Sequence, residues 1–203
     1  MTKRVIALLF VICCIGVTAF SQTQAPTPAP APAPAPRPKP EHFSAVASFA
    51  RAPATTASWI DVRVQRYTGN ATAKKMAALL IEGGQEALVD ALEKSKSIGK
   101  VQLSSRVGFF DLKLIRSRKT ATGRRVIGVS DRPVGFMEAY NSGRSRDYQL
   151  GILVMDLKIN KKGKEVGEGK LIYAAKVKIN KKGTLEIEYL GMEPISLRNV
   201  KKY

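Results

Sequence analysis

The sequence predicts an α+β domain: an antiparallel sheet of five to seven strands with one or two helices packed on one face. Three observations carry this expectation. A cleanly alternating segment, Trp59 to Arg66, opens the folded part of the chain. Helical spacing follows it between Thr72 and Leu92. Everything after residue 100 then reads as short apolar runs separated by glycine-bearing turns.

In the first strand Ile60, Val62 and Val64 share one face, while Trp59, Asp61, Arg63 and Gln65 share the other. A period of two with one apolar face marks a half-buried strand. Thr68-Gly69-Asn70 breaks it, and Thr72 is the expected N-cap of a helix carrying Met76, Leu79 and Leu80. Gly83-Gly84 interrupts, and Leu88, Val89 and Leu92 resume the helical spacing, as in a bent helical hairpin laid over a sheet. Strands are expected over 107–118 and 124–129, joined at Thr120-Ala121-Thr122-Gly123. More follow over 150–159, 171–179, 185–190 and, at an edge, 195–200.

Lys158-Ile159-Asn160-Lys161-Lys162-Gly163 recurs unchanged as Lys178-Ile179-Asn180-Lys181-Lys182-Gly183. Each copy reads as a strand end entering a turn, with Asn and Gly tolerating positive φ. With one strand between them, the two turns fall at opposite ends of the sheet, so their lysines form no common patch. Placing Val177, Ile179, Leu185 and Ile187 in the core sets Lys178 opposite Glu186 and Lys176 opposite Glu188. Such cross-strand pairs stabilise by roughly 0.2–1 kcal/mol.

The segment before residue 55 has a different character. Met1-Thr2-Lys3-Arg4, an apolar run from Val5 to Ala19, and the exit Ala19-Phe20-Ser21 follow the layout of a secretory signal peptide. A lipid-attachment site is disfavoured, since Ile12 precedes Cys13, and an uncleaved anchor is the alternative. Residues 22–54 read as an Ala/Pro-rich tether, whose alternating prolines from Pro26 to Pro40 hold it extended at about 3.1 Å per residue. The expected division is therefore a signal peptide (1–21), a tether (22–54) and one α+β domain (55–203) that works in the periplasm or outside the cell.

The formal net charge is +18. Lys3, Arg4, Arg37, Lys39 and Arg51 against Glu41 leave +4 in residues 1–54, so residues 55–203 carry +14. A surplus of this size speeds encounter with anionic partners and opposes self-association. Nucleic acid is disfavoured as that partner by the export signal, and because Phe109, Phe110 and Tyr173 stand at strand spacing and read as core.

Both cysteines, Cys13 and Cys14, lie in the signal segment, and the only histidine, His42, falls in the tether. A domain without thiol or imidazole has no Ser-His-Asp or Cys-His chemistry and no zinc site built on those ligands. No cofactor is expected. Ser97-Ile98-Gly99-Lys100 matches a Ser-x-x-Lys pattern without its companion motifs, and Gly169-Lys170 has the wrong spacing for a phosphate loop. Asp61 and Asp111 read as solvated or paired with Arg63 and Lys113. What remains is the polar segment Ser130–Tyr148. It holds Asp131, Glu138 and Asp147 as candidate carboxylates, and Arg132, Tyr140, Asn141, Arg144 and Arg146 as candidate ligand contacts. The bland expectation is that these acids and arginines pair with one another.

Ser130-Asp131-Arg132-Pro133-Val134-Gly135-Phe136, Glu138-Ala139 and Arg144-Ser145-Arg146-Asp147-Tyr148 resemble a family of uncharacterised exported bacterial proteins. So do Glu168-Gly169-Lys170 and Leu197-Arg198-Asn199-Val200. The resemblance implies export and no particular activity.

Two functions follow as expectations. The first is a non-catalytic, envelope-associated or secreted binding module whose basic surface meets an anionic polymer or an envelope protein. The rival is a glycan hydrolase using two of Asp131, Glu138 and Asp147, which requires two carboxyl groups about 5–10 Å apart across a cleft.

Overall fold

A computed structural model describes residues 39–48, 58–104, 108–134, 147–180, 183–190 and 193–203, all within the compact unit Arg37–Tyr203. Its strands are β1 (Glu41–Ser48), β2 (Ser58–Val64), β3 (Gly99–Leu103), β4 (Phe110–Leu112), β5 (Leu114–Thr120), β6 (Gly123–Ser130), β7 (Leu150–Ile159), β8 (Glu165–Ile179), β9 (Leu185–Tyr189) and β10 (Ile195–Lys202). One helix, α1, spans Asn70–Glu93.

The strands form a single antiparallel sheet in the order β4-β3-β2-β1-β10-β8-β7-β6-β5, with β9 added to the end of β8. The two ends of this path are neighbours in the chain, separated by Lys113 alone. Residues 110–120 change partner there, pairing with β3 through Phe110–Leu112 and with β6 through Leu114–Thr120. The amide N–H of Lys113 donates to Val129 O at 2.9 Å, and Ile98 N–H donates to Leu112 O at 2.9 Å. The sheet therefore curls until its edges meet in a nearly closed barrel.

This corrects the expected fold. The sheet has ten strands among the described residues rather than five to seven, and it is not an open layer with helices on one side. Three physical reasons account for the difference. Residues 41–48, assigned to the tether, form β1 between β2 and β10. The run after residue 100 contains an additional strand, β3. Closure itself arises because a single stretch of chain divides its hydrogen bonds between two neighbours, which no local periodicity announces.

Alternation explains which side chains fill the barrel. Phe43, Ala45 and Ala47 of β1, Ile60, Val62 and Val64 of β2, and Leu153, Met155 and Leu157 of β7 point inward and are buried. Ile195, Leu197 and Val200 of β10 complete that side of the core. The interior is a packed core. A Cβ on Gly167 would stand 1.9 Å from the backbone oxygen of Asp156, so glycine is required where β8 pairs with β7.

α1 lies outside. Met76, Leu80, Leu88, Val89 and Leu92 bury against Leu150, Ile152, Ala175 and Val177, with Leu114, Ile127, Val129, Val154 and Ile172 packed at the margin. The expected interruption is present at Gly84, whose φ of 69° and ψ of −165° are open to glycine and strained for other residues. The kink keeps both halves of α1 on the barrel. Gln85 follows it: its side-chain N–H donates to Asp147 O at 2.8 Å, and its Oε1 accepts from Val177 N–H at 2.8 Å. The N-cap is Gly69, without a side-chain cap, and Thr72 stands inside the first turn instead.

The repeated hexapeptide builds two matching turns. Asn160 Oδ1 accepts from the N–H groups of Lys162 and Lys164, and Asn180 Oδ1 accepts from Thr184 N–H. Gly163 and Gly183 adopt φ of 72° and 74°. One turn lies at each end of β8, as expected. The register also agrees, with Lys176 opposite Glu188 and Lys178 opposite Glu186. Leu185 and Ile187, expected in the core, are instead exposed on β9, which stands clear of the barrel.

Candidate functional site

Three regions have the composition of a site: one mouth of the barrel, the start of the Ser130–Tyr148 segment, and the outer face of β3, β2, β1 and β10.

At the mouth, inward alternation brings together Glu41 from β1, Arg124 from β6, Glu165 from β8 and Lys202 from β10, with Tyr67 from the segment after β2. Arg124 grips Glu165 with two hydrogen bonds of 2.6 Å. It also donates to Tyr67 Oη at 2.9 Å and to Glu41 at 3.0 Å. Tyr67 O–H donates to Glu41, and Lys202 Nζ donates to Glu41 at 2.8 Å. Burial works to raise the Glu41 pKa, but hydrogen bonds from Lys202, Tyr67 and Arg124 outweigh it and hold the carboxyl below its usual range. Hydrogen bonding from Arg124 likewise lowers Glu165. Burial and then the Glu41 carboxylate push the Tyr67 phenol upward. Two acids and two bases balance, each acid is held by cations, and Tyr67 stays protonated at neutral pH. A carboxylate so held is a poor base, so this cluster acts as a clasp across the barrel.

The predicted carboxylates do not converge among the described residues. Asp131, just past β6, pairs with Lys113 at 3.3 Å, and that lysine also donates to Ser95 O at 3.0 Å. Asp131 Oδ1 is buried without a partner. Asp147 is exposed and lies 3.7 Å from Lys176. Arg132 is exposed and follows Ser130, whose Oγ accepts its N–H at 3.4 Å. Glu138, Tyr140, Asn141, Arg144 and Arg146 lie outside the described residues. Ser97 of the Ser-x-x-Lys match donates its hydroxyl at 2.8 Å to Asp111 Oδ1 and at 2.9 Å to Gly99 O in the approach to β3, and among the described residues no lysine hydrogen-bonds to it. No cluster of three or more His, Cys, Asp or Glu side chains suited to a metal occurs among the described residues.

The outer face of β3, β2, β1 and β10 differs from both. Its outward positions carry Lys100, Arg63, Arg198 and Lys201, and Asp61 is the one carboxylate among them. Direct cross-strand neighbours run Asp111 of β4, Lys100, Arg63 and His42 in one row, and Gln102, Asp61, Ser44 and Lys201 in the next. Asp61 accepts a hydrogen bond from Tyr203 O–H at 2.7 Å, and Tyr203 meets the His42 ring edge-on at 5.8 Å. Trp59, opposite Val46, is 62% exposed, and Tyr203 is 70% exposed. Phe109, beside β4, is 50% exposed with Lys100 Nζ 3.7 Å from its ring centre.

Two expectations are corrected here. His42 belongs to β1, so the folded unit does contain an imidazole, placed beside Arg63 and Tyr203. Phe109 is a surface residue under a lysine rather than a core residue. The outward alternation of Trp59 with Asp61 and Arg63 was the available signal for this face. Its extension onto β1 and β10 depends on pairings between residues far apart in the chain. Among the described residues no helix is long and apolar enough to cross a membrane.

Neither the family models nor the curated proteins nor the solved structures include a match to this chain, so the site stands on its own geometry.

Proposed function

We propose that the protein is an exported, non-catalytic binding module that holds an acidic glycan on the outer face of β3, β2, β1 and β10. The observation that carries this reading is Trp59, exposed on a sheet surface whose charged residues are four cations and one acid already engaged by Tyr203. A large ring left in water on the same sheet face as guanidinium and ammonium groups suits a ligand with both flat faces and negative charge. Sugar rings stack on indole, and the carboxylates or sulfates of an acidic glycan answer the cations. Adjacent strands lie about 4.8 Å apart, so the face from β3 to β10 extends roughly 14 Å, room for several sugar units. Export rests on the signal-like opening of the sequence. The glycan-hydrolase reading gains no support from the described acids, because Asp131 and Asp147 are each held by a different lysine.

Trp59 is the only tryptophan in the chain, so its fluorescence reports on this face directly. Titration with polygalacturonate should shift and saturate that emission. Retention on the immobilised polymer should fall steeply as salt rises, since the Debye length shrinks from about 10 Å at 0.1 M to about 3 Å at 1 M. An emission spectrum indifferent to acidic glycans, together with retention insensitive to salt, would refute the reading.

A further inference from the structure

We infer that a second site, for a small amphipathic organic anion, lies in a cavity of about 460 Å³ between the barrel and the N-terminal half of α1. This volume falls within the range of about 300–1,000 Å³ occupied by small-molecule sites. Its lining sets apolar Met76, Ile98 and Leu114 beside hydroxyl-bearing side chains and the cations Arg66, Lys96 and Lys113. Among the described residues no carboxylate lines it. Lys113 is engaged by Asp131 and Ser95 O, whereas Arg66 and Lys96 are exposed and make no ion pair among the described residues. The cavity thus combines an apolar patch with two exposed cations that no described carboxylate pairs. That combination fits a compact apolar body bearing one carboxylate, sulfonate or phosphate group. None of these residues belongs to the proposed glycan face, so the two sites can fail separately.

The probe is 8-anilinonaphthalene-1-sulfonate, which has both parts and fluoresces when its rings leave water. Titrated against the purified protein, it should show enhanced emission saturating at one molecule per chain. Replacing both exposed cations, Arg66→Glu with Lys96→Glu, should weaken binding at least tenfold; both side chains are exposed, so the fold should be kept. Gly69→Asp provides the independent check. A Cβ there meets nothing within 4 Å, the backbone suits an N-cap, and the new carboxylate would stand at the cavity wall. This variant should melt no lower than the parent and bind the probe several-fold more weakly. Arg198→Glu, on the glycan face, should leave probe affinity unchanged. Undiminished affinity in the double variant, or an equal loss in Arg198→Glu, would overturn the assignment.

Discussion

The two halves of the barrel's outer surface obey the same alternation and differ in what they place on it. On β5, β6, β7 and the far end of β8, outward positions are Leu114, Ile127, Val129, Ile152, Val154 and Val177, and α1 lies across them. On β3, β2, β1 and β10, they are Lys100, Arg63, Ser44, Arg198 and Lys201, with Trp59 exposed among them, and no described helix or strand packs there. Away from the charged mouth, the inner face is largely apolar on both halves. A sheet buried on both sides must be apolar on both, and a sheet wet on one side must not. The apolar outer half therefore calls for a helix, while the basic half keeps its surface for a ligand.

The most severe way to break this contrast is to cut the apolar contact. Leu92 of α1, fully buried against the barrel, should cost about 3 kcal/mol when changed to alanine, within the range found for buried leucines. On the bare half Arg198→Ala should stay within about 0.5 kcal/mol. Denaturant melts of the two variants measure the difference directly. Equal losses would mean that the bare half is also packed against something.

The mouth cluster joins the halves, since Glu41 and Lys202 come from the bare side and Arg124 and Glu165 from the covered side. Arg124→Ala should cost about 2 kcal/mol, below the 3–5 kcal/mol of fully buried pairs because its side chain keeps some contact with water. The pH dependence has a definite sign. Both carboxyls titrate lower in the folded protein than in the open chain. Their contribution is thus complete above the ordinary carboxylate range and is lost as pH falls through their folded values. The melting temperature should hold from pH 7 to about 5 and then decline. In the Glu41→Gln, Glu165→Gln double variant that acid decline should be shallower. A decline as steep as the parent's would remove the cluster from the account.

How much of this was legible in the sequence follows from the range of each interaction. The alternation of Ile60, Val62 and Val64, the break at Gly83-Gly84, the twin turns at Asn160 and Asn180, and the Lys176–Glu188 register are all decided by residues close in the chain. Each appears where the sequence places it. β1 was hidden because Phe43, Ala45 and Ala47 make a weak apolar face next to a proline tract. The mouth cluster was hidden because Lys202 and Glu41 stand 161 residues apart. The basic face was half legible: Trp59, Asp61 and Arg63 show it on β2, but only the β2–β1–β10 pairing adds Arg198 and Lys201.

Gly84 sharpens the contrast on the covered side. Its backbone, near φ 69° and ψ −165°, suits glycine alone, so Gly84→Ala should cost about 1–3 kcal/mol. The loss should appear as early exchange of amide protons in the second half of α1, whose Leu88, Val89 and Leu92 depend on the bend. A helix that straightens without penalty would show that the kink does not serve the packing.

The smallest expected effect separates charge used for stability from charge kept for binding. Lys176 faces Glu188 across the β8–β9 pair and lies 3.7 Å from Asp147, all near the covered half. Reversing it with Lys176→Glu should lower the melting temperature on the order of 1 °C, as expected of an exposed pair, and leave glycan retention unchanged. Arg198→Glu makes the same charge change on the bare half, where among the described residues the side chain has no acidic partner to lose. It should leave the melting temperature within error and move elution from an acidic-glycan column to clearly lower salt. If both reversals shift elution equally, only the net charge matters and the face holds no site. If Arg198→Glu alone shifts it, location decides, because Lys176 already faces Glu188 and lies beside Asp147.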